Sequence, residues 1–112
     1  MRLVSFTFVG GKRTLNPECI LYVQTEGHRN VFVVLTENEK TELKLYMKLD
    51  EIEKILIPCG FVRCHRSLLV NLSYVKNVSN YLMELTTGEV LTIPRSRYGK
   101  VKEAFSDKEV ME

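Results

Sequence analysis

Two short segments gather the residues best suited to chemistry in this 112-residue chain. Arg63, His65 and Arg66 fall within one turn-like stretch, and Arg95, Arg97, Lys100 and Lys102 crowd the last strand-to-helix junction. His28 and Arg29 mark a third, polar loop. An arginine guanidinium is a planar fork that can bond a guanine edge or a phosphate with two N–H groups at once, and histidine donates or accepts at bases. Such side chains on tight loops fit the reading of a nucleic-acid groove. Basic residues at turns are also commonly just solvated, so the clusters alone do not decide.

Catalytic and metal chemistry find less support. The pattern Cys59-x4-Cys64-His65 does not match the spacing of a common zinc finger and lacks a fourth ligand, and an extended chain points Cys64 and His65 apart. A Cys–His nucleophile would also need a third, orienting group. No cofactor, metal or enzymatic activity is therefore expected. Cys64 lies between Arg63 and His65, neighbours that would lower a thiol pKa, which suggests a redox-sensitive group. His65 admits two readings, a hydrogen-bonded brace inside its loop or a contact to a base, and bracing is the expected one. Asn71 is expected to tie down a turn through backbone bonds. Tyr22, Tyr46, Tyr81 and the phenylalanines read as core or sheet packing rather than a stacking platform.

Composition sets the frame for these residues. The apolar share of 45% and charged share of 27% are those of a soluble globular protein, and the length suits one domain. A net charge of +2 does not by itself imply a polyanionic partner. The acidic residues instead crowd between Glu37 and Glu53, away from the basic clusters. The longest apolar runs, such as Val31–Leu35, fall far short of the roughly 20 residues of a membrane span. No signal peptide is visible, and three cysteines are an odd number, so reduced thiols and a cytoplasmic location are expected.

The elements that must position the clusters read mostly as strands. Val4, Phe6 and Phe8 alternate with Ser5 and Thr7, the pattern of a half-buried strand, and Gly10-Gly11 turns it toward a second at Lys12–Leu15. Asn16-Pro17-Glu18 predicts one helical turn capped by Asn16, followed by a strand over Cys19–Gln24. Strands at Val31–Thr36 and Thr41–Leu49 flank the polar turn Glu37-Asn38-Glu39. The period then switches to helical over Asp50–Leu56, until Pro58-Cys59-Gly60 ends it. Short strands are expected at Phe61–Arg63, Leu68–Val70, Val75–Val78, Tyr81–Thr86 and Glu89–Ile93. A closing helix from about Ser96 buries Tyr98, Val101 and Phe105. The domain is placed at residues 1–105, with a frayed charged tail at 106–112. No helix-turn-helix pattern is present, so any groove reading falls to loops.

The stretch Phe61-Val62-Arg63-Cys64-His65-Arg66-Ser67-Leu68-Leu69-Val70-Asn71-Leu72 closely resembles the signature of LytTR-type DNA-binding domains, the effector domains of response regulators. The similarity continues in register through Val75 and Val78, Leu85-Thr86-Thr87-Gly88 and Ile93–Phe105. Upstream it takes in Asp50-Glu51-Ile52-Glu53 and Ile20-Leu21-Tyr22-Val23, nearly the whole chain. The resemblance implies an elongated, mostly β fold of about ten strands with two short helices, whose loops enter successive major grooves of bent double-stranded DNA.

By position, the resemblance assigns base edges to His28, Arg66 and Arg95, and phosphate contact or loop support to Arg63, Ser67, Arg97, Tyr98 and Lys100. Pro94 departs from the serine often found there, so the roles of Arg95 and Arg97 stand open to exchange. The implied partner is bacterial promoter DNA carrying two direct repeats, bound by a homodimer. An upstream receiver domain or sensor system is the usual companion, and no membrane partner is implied. The competing reading is a protein-interaction module that adds a partner strand to exposed sheet edges.

Overall fold

Two continuous apolar runs, Val31–Leu35 and Leu68–Val70, dictate the architecture, because a strand without a polar face must be covered on both sides. The computed structural model describes residues 2–37 and 39–111, so Asn38 of the expected turn and Glu112 of the expected tail lie outside the described residues. Its centre is a five-stranded antiparallel sheet built from β3 (Ile20–Glu26), β4 (Arg29–Thr36), β5 (Glu39–Leu45), β6 (Phe61–His65) and β7 (Leu68–Asn71). The strands are ordered β5-β4-β3-β7-β6, which brings β3 and β7 together across a wide gap in sequence.

Each face of that sheet carries its own core. One is covered by the hairpin of β1 (Val4–Phe8) and β2 (Gly11–Leu15) with the helix α1 (Leu49–Leu56). The other is covered by the three-stranded sheet of β8 (Val75–Ser79), β9 (Leu82–Leu85) and β10 (Val90–Thr92) with the closing helix α2 (Arg95–Met111). Neighbouring residues therefore serve opposite cores: Phe32 joins the first and Val33 the second, and Leu69 joins the first while Leu68 and Val70 join the second. Phe6, Phe8 and Phe32 form an edge-to-face cluster, with Phe32 centroids 4.9 and 5.1 Å from its two neighbours. The molecule measures 39 × 29 × 24 Å, and among the described residues no helix is long and apolar enough to cross a membrane.

Two asparagine-capped turns sit side by side at one end of the central sheet. Asn16 accepts from the Glu18 amide at 3.0 Å and Pro17 opens the short 3-10 turn Pro17–Cys19, as the sequence predicts. Asn71 caps a second such turn, Leu72–Tyr74, by accepting from the Ser73 amide at 3.0 Å. Its Nδ2 donates to the carbonyls of Pro17 and Ile20, so one buried amide joins both turns. Three bonds in a dry site make this side chain structural.

Three expectations change. The alternation of Leu43, Leu45, Met47 and Leu49 suggests one long strand, yet β5 ends at Leu45 and Leu49 begins α1. Leu49, Ile52 and Leu56 bury together on one helical face, and the Asn30 side chain takes the Met47 carbonyl at 2.7 Å where the chain leaves the sheet. The segment expected to be a frayed tail is helical as far as it is described, because α2 continues through Met111. Lys108 holds that extension, donating to the Leu72 carbonyl at 2.8 Å while its ammonium lies 5.8 Å from the Phe105 ring centroid. Finally, Tyr46 and Tyr81 stand outside the core: they are 70% and 43% exposed.

Candidate nucleic-acid interface

The β3–β4 turn is two residues long, Gly27-His28, with Glu26 opposite Arg29. Gly27 has φ +66°, the left-handed value that a hairpin turn of this length needs at its first central position. That geometry leaves His28 exposed at the tip. Behind it, Thr25 Oγ1 donates to Asn30 Oδ1 at 2.5 Å, and Asn30 Nδ2 reaches the Met47 carbonyl of the β5–α1 connector.

The β6–β7 turn, Arg66-Ser67, is held differently. Neither residue has a positive φ, and a bulge between Arg63 and His65 leaves Cys64 without a partner on β7. Side chains fix what backbone geometry does not. Arg63 Nε donates to the His65 carbonyl and Nη2 to the Arg66 carbonyl, both at 2.7 Å. Arg63 Nη1 pairs with Asp50 at 3.0 Å and Glu53 at 2.5 Å on α1. The Ser67 amide donates to His65 Nδ1 at 3.1 Å, and the Ser67 carbonyl accepts from the Thr25 amide at 2.9 Å.

These bonds form a closed circuit running from the β5–α1 connector through Asn30 and Thr25 to the β6–β7 turn, and back through Arg63 to α1. The Arg63 side chain is only 9% exposed, so its bonds to carbonyls matter more than the pair with Asp50, which is 83% exposed. Arg63 is a brace. Arg66, three residues on, stays exposed at the tip.

The third segment is the β10–α2 junction. Pro94 opens α2 by offering its carbonyl to the amides of Arg97 and Tyr98, each at 3.0 Å. The two arginines there part company. Arg97 is half-buried in the first turn of α2, which packs against β6, and its charge is felt at both Cys64 and His65. Arg95 lies over the Tyr81 ring, 5.5 Å from its centroid, on the β8–β9 turn. Tyr98 is half-buried against Tyr81, and Lys100 is exposed one turn along α2.

Burial and the charges of Arg63, Arg66 and Arg97 all hold the His65 pKa below the usual imidazole value. Neutral His65 offers Nδ1 as an acceptor to Ser67, so its hydrogen sits on Nε2. Cys64 corrects an expectation: burial pushes its thiol up to about 12 despite the opposing charge of Arg97. A fully buried thiol in that state is not a reactive one.

One surface cleft joins the first two turns. His28, Arg29, Arg63 and Arg66 line it together with Tyr46 and Lys48 of the β5–α1 connector. The sequence clusters do not include Lys48, Tyr46 or Tyr81. Their positions depend on where the chain leaves β5 and how β8 turns into β9, and an alternating pattern disguises both. Among the described residues no group of three metal-binding side chains occurs.

Replacing Arg63 by lysine keeps the charge and loses the fork, so it should destabilise the domain by about 1.5–3 kcal/mol in a urea titration. An unchanged midpoint would remove Arg63 from the role of brace. His65 makes the stability depend on pH. Its folded pKa lies below the unfolded value of about 6.5, so the unfolded chain takes up the proton first. The stabilisation is complete above that value and is lost as the pH falls toward the folded pKa. Wild type should therefore lose more stability than His65→Gln on going from about pH 7.5 to about pH 5.5; parallel losses would refute the assignment.

Comparison with known proteins gives the same picture from outside. The family model "LytTr DNA-binding domain" matches residues 11–106. A solved structure, the LytTr DNA-binding domain of a Bacillus cereus protein described as a methyl-accepting/DNA response regulator, superposes with a TM-score of 0.73 at 19% identity. That match covers 93% of this chain and 96% of the other. No curated protein matches the chain. The family is one of DNA-binding domains in transcription regulation rather than a class of enzymes. With the match spanning most of its length, the chain belongs to the LytTR family of DNA-binding domains.

Proposed function

We propose that this domain recognises a specific sequence in double-stranded promoter DNA by inserting its turns into successive major grooves, and that it carries out no catalysis. The observation that carries this reading is local charge. The whole chain has a net charge of only +2, yet His28, Arg29, Lys48 and Arg66 line one surface cleft between two adjacent turns, with His28 and Arg66 exposed at the tips. A weakly charged protein that concentrates arginine forks on protruding turns is suited to base edges rather than to general attraction.

In this reading His28 and Arg66 contact bases from two adjacent turns. Arg97, in the first turn of α2, extends that contact, while Arg95 approaches DNA from the β8–β9 side. Lys100, Tyr98 and Ser67 meet phosphates, and Arg63 keeps the β6–β7 turn in shape from within. Two copies bind direct repeats as a dimer, in the bacterial cytoplasm, as the output domain of a longer regulator with a receiver or sensor part. The Bacillus cereus structure is described as the DNA-binding domain of a methyl-accepting/DNA response regulator, which supports the last of these points. The alternative, strand addition at a sheet edge, has less support, because the Val9 amide already donates to the Lys44 carbonyl on the edge strand β5.

Selection from a random duplex library, followed by fluorescence anisotropy across a salt series, tests the proposal. A short enriched motif with steep salt dependence supports it, and equal binding to all duplexes, or none, refutes it. Arg66→Ala should lose about 1–3 kcal/mol on the selected sequence and relax the preference at one base pair. Equal losses on selected and random DNA would reassign Arg66 to the phosphates. Lys100→Ala should weaken all duplexes alike and lower the salt slope by about 1, since it removes one released counterion; a loss confined to the selected sequence would contradict that role.

A further inference from the structure

The hairpin between β8 and β9 carries a conformational oddity that the reading above does not use. Asn80 and Tyr81 form its two-residue turn, with Ser79 opposite Leu82, and both have positive φ, +53° and +63°. A turn of this type requires left-handed backbone at both positions, which asparagine tolerates and glycine adopts freely. A tyrosine there is strained, because its Cβ crowds the following carbonyl. Strain of this kind persists where the side chain it carries has a use.

The side chain of Tyr81 has two partners, both from the β10–α2 junction. Its ring centroid lies 4.5 Å from that of Tyr98, with the planes inclined by 46°. The Arg95 guanidinium sits 5.5 Å above the same ring. The backbone closes the arrangement, since the Ile93 amide donates to the Tyr81 carbonyl at 2.9 Å. Although it stacks on two neighbours, Tyr81 remains 43% exposed, so the stack stands at the surface. A free arginine side chain samples many rotamers, and a guanidinium resting on an aromatic face gives up fewer of them when it bonds an anion or a base.

We propose that Tyr81 is a positioning residue for DNA recognition: clamped by Tyr98, its ring seats the Arg95 guanidinium in the orientation that meets the duplex. This inference rests on the DNA-reading role proposed above, and it extends the interface to a fourth turn. It also gives the left-handed tyrosine a reason, since that position brings its ring under Arg95.

A double-mutant cycle on the selected duplex tests it, with Tyr81→Gly, Arg95→Ala and the pair. Glycine relieves the left-handed strain, so this variant removes the ring without demanding a distorted backbone, and its thermal unfolding should match wild type. Tyr81→Gly is expected to weaken binding to the selected duplex by about two- to fivefold. The loss should vanish once Arg95 is already alanine, and Tyr81→Phe should restore most of the affinity. A second readout needs no DNA: the Arg95 side-chain NMR signals of the free domain should lose their ring-current shift in Tyr81→Gly. An undiminished effect of Tyr81→Gly in the Arg95→Ala background would overturn the inference, as would no effect on wild type at all. Should wild type prefer no duplex sequence, the DNA-reading role fails and this inference falls with it. A discriminating wild type with no coupling between Tyr81 and Arg95 overturns this inference alone.

Discussion

The guanidinium of Arg63 is the interaction on which the arrangement of the turns depends. It takes the carbonyls of His65 and Arg66 from inside the β6–β7 turn and anchors them to Asp50 and Glu53 on α1. No lysine could bond two carbonyls and two carboxylates from one planar group. Because neither Arg66 nor Ser67 has the positive φ of a self-sufficient hairpin turn, this external bracing substitutes for intrinsic turn geometry. The brace fixes the backbone that carries Arg66, so any contact made through that turn has little backbone freedom left to lose.

That brace is anchored to a central sheet packed on both faces. Phe32, Leu69 and Ile20 pack toward α1 and the β1–β2 hairpin, and Val33, Val70 and Leu21 pack toward α2 and the three-stranded sheet. The same two layers deliver the candidate DNA-contacting segments. The sheet itself extends the β3–β4 and β6–β7 turns, while the second layer supplies the β10–α2 junction and the β8–β9 turn. Interfaces built on strand ends joined by short turns keep their shape better than long loops do. A domain with two modest cores can thus hold four turns in fixed relation without a recognition helix.

Electrostatics separate contact from support within the cluster. Arg63 is neutralised locally by two carboxylates, so its charge is largely spent inside the protein, whereas Arg66 remains at the tip. His65, held neutral by burial and by the surrounding guanidiniums, accepts a bond from the Ser67 amide and adds no charge of its own. Cys64, buried next to them, packs as a small apolar side chain.

Local order was legible in the sequence: the alternation of β1, the Asn16 cap with Pro17 behind it, the buried stripe of α2 at Val101 and Phe105, and the arginine–histidine motif itself. Each is set by residues within a few positions of one another, so period and turn chemistry suffice. The end of β5 and the extent of α2 were not legible, because Asn30 and the carbonyls of Leu72 and Val75 come from elsewhere in the chain. The sequence by itself determined a mostly β domain with basic turns and, through its motif, the family. Only the tertiary structure decided which basic residues face outward: Arg63 turns in toward Asp50 and Glu53, Arg66 stays exposed at its tip, and Arg95 rests on Tyr81. The physical reason is that a side chain's exposure is fixed by partners brought near through strand pairing and helix packing, and no pattern along the chain encodes those partners.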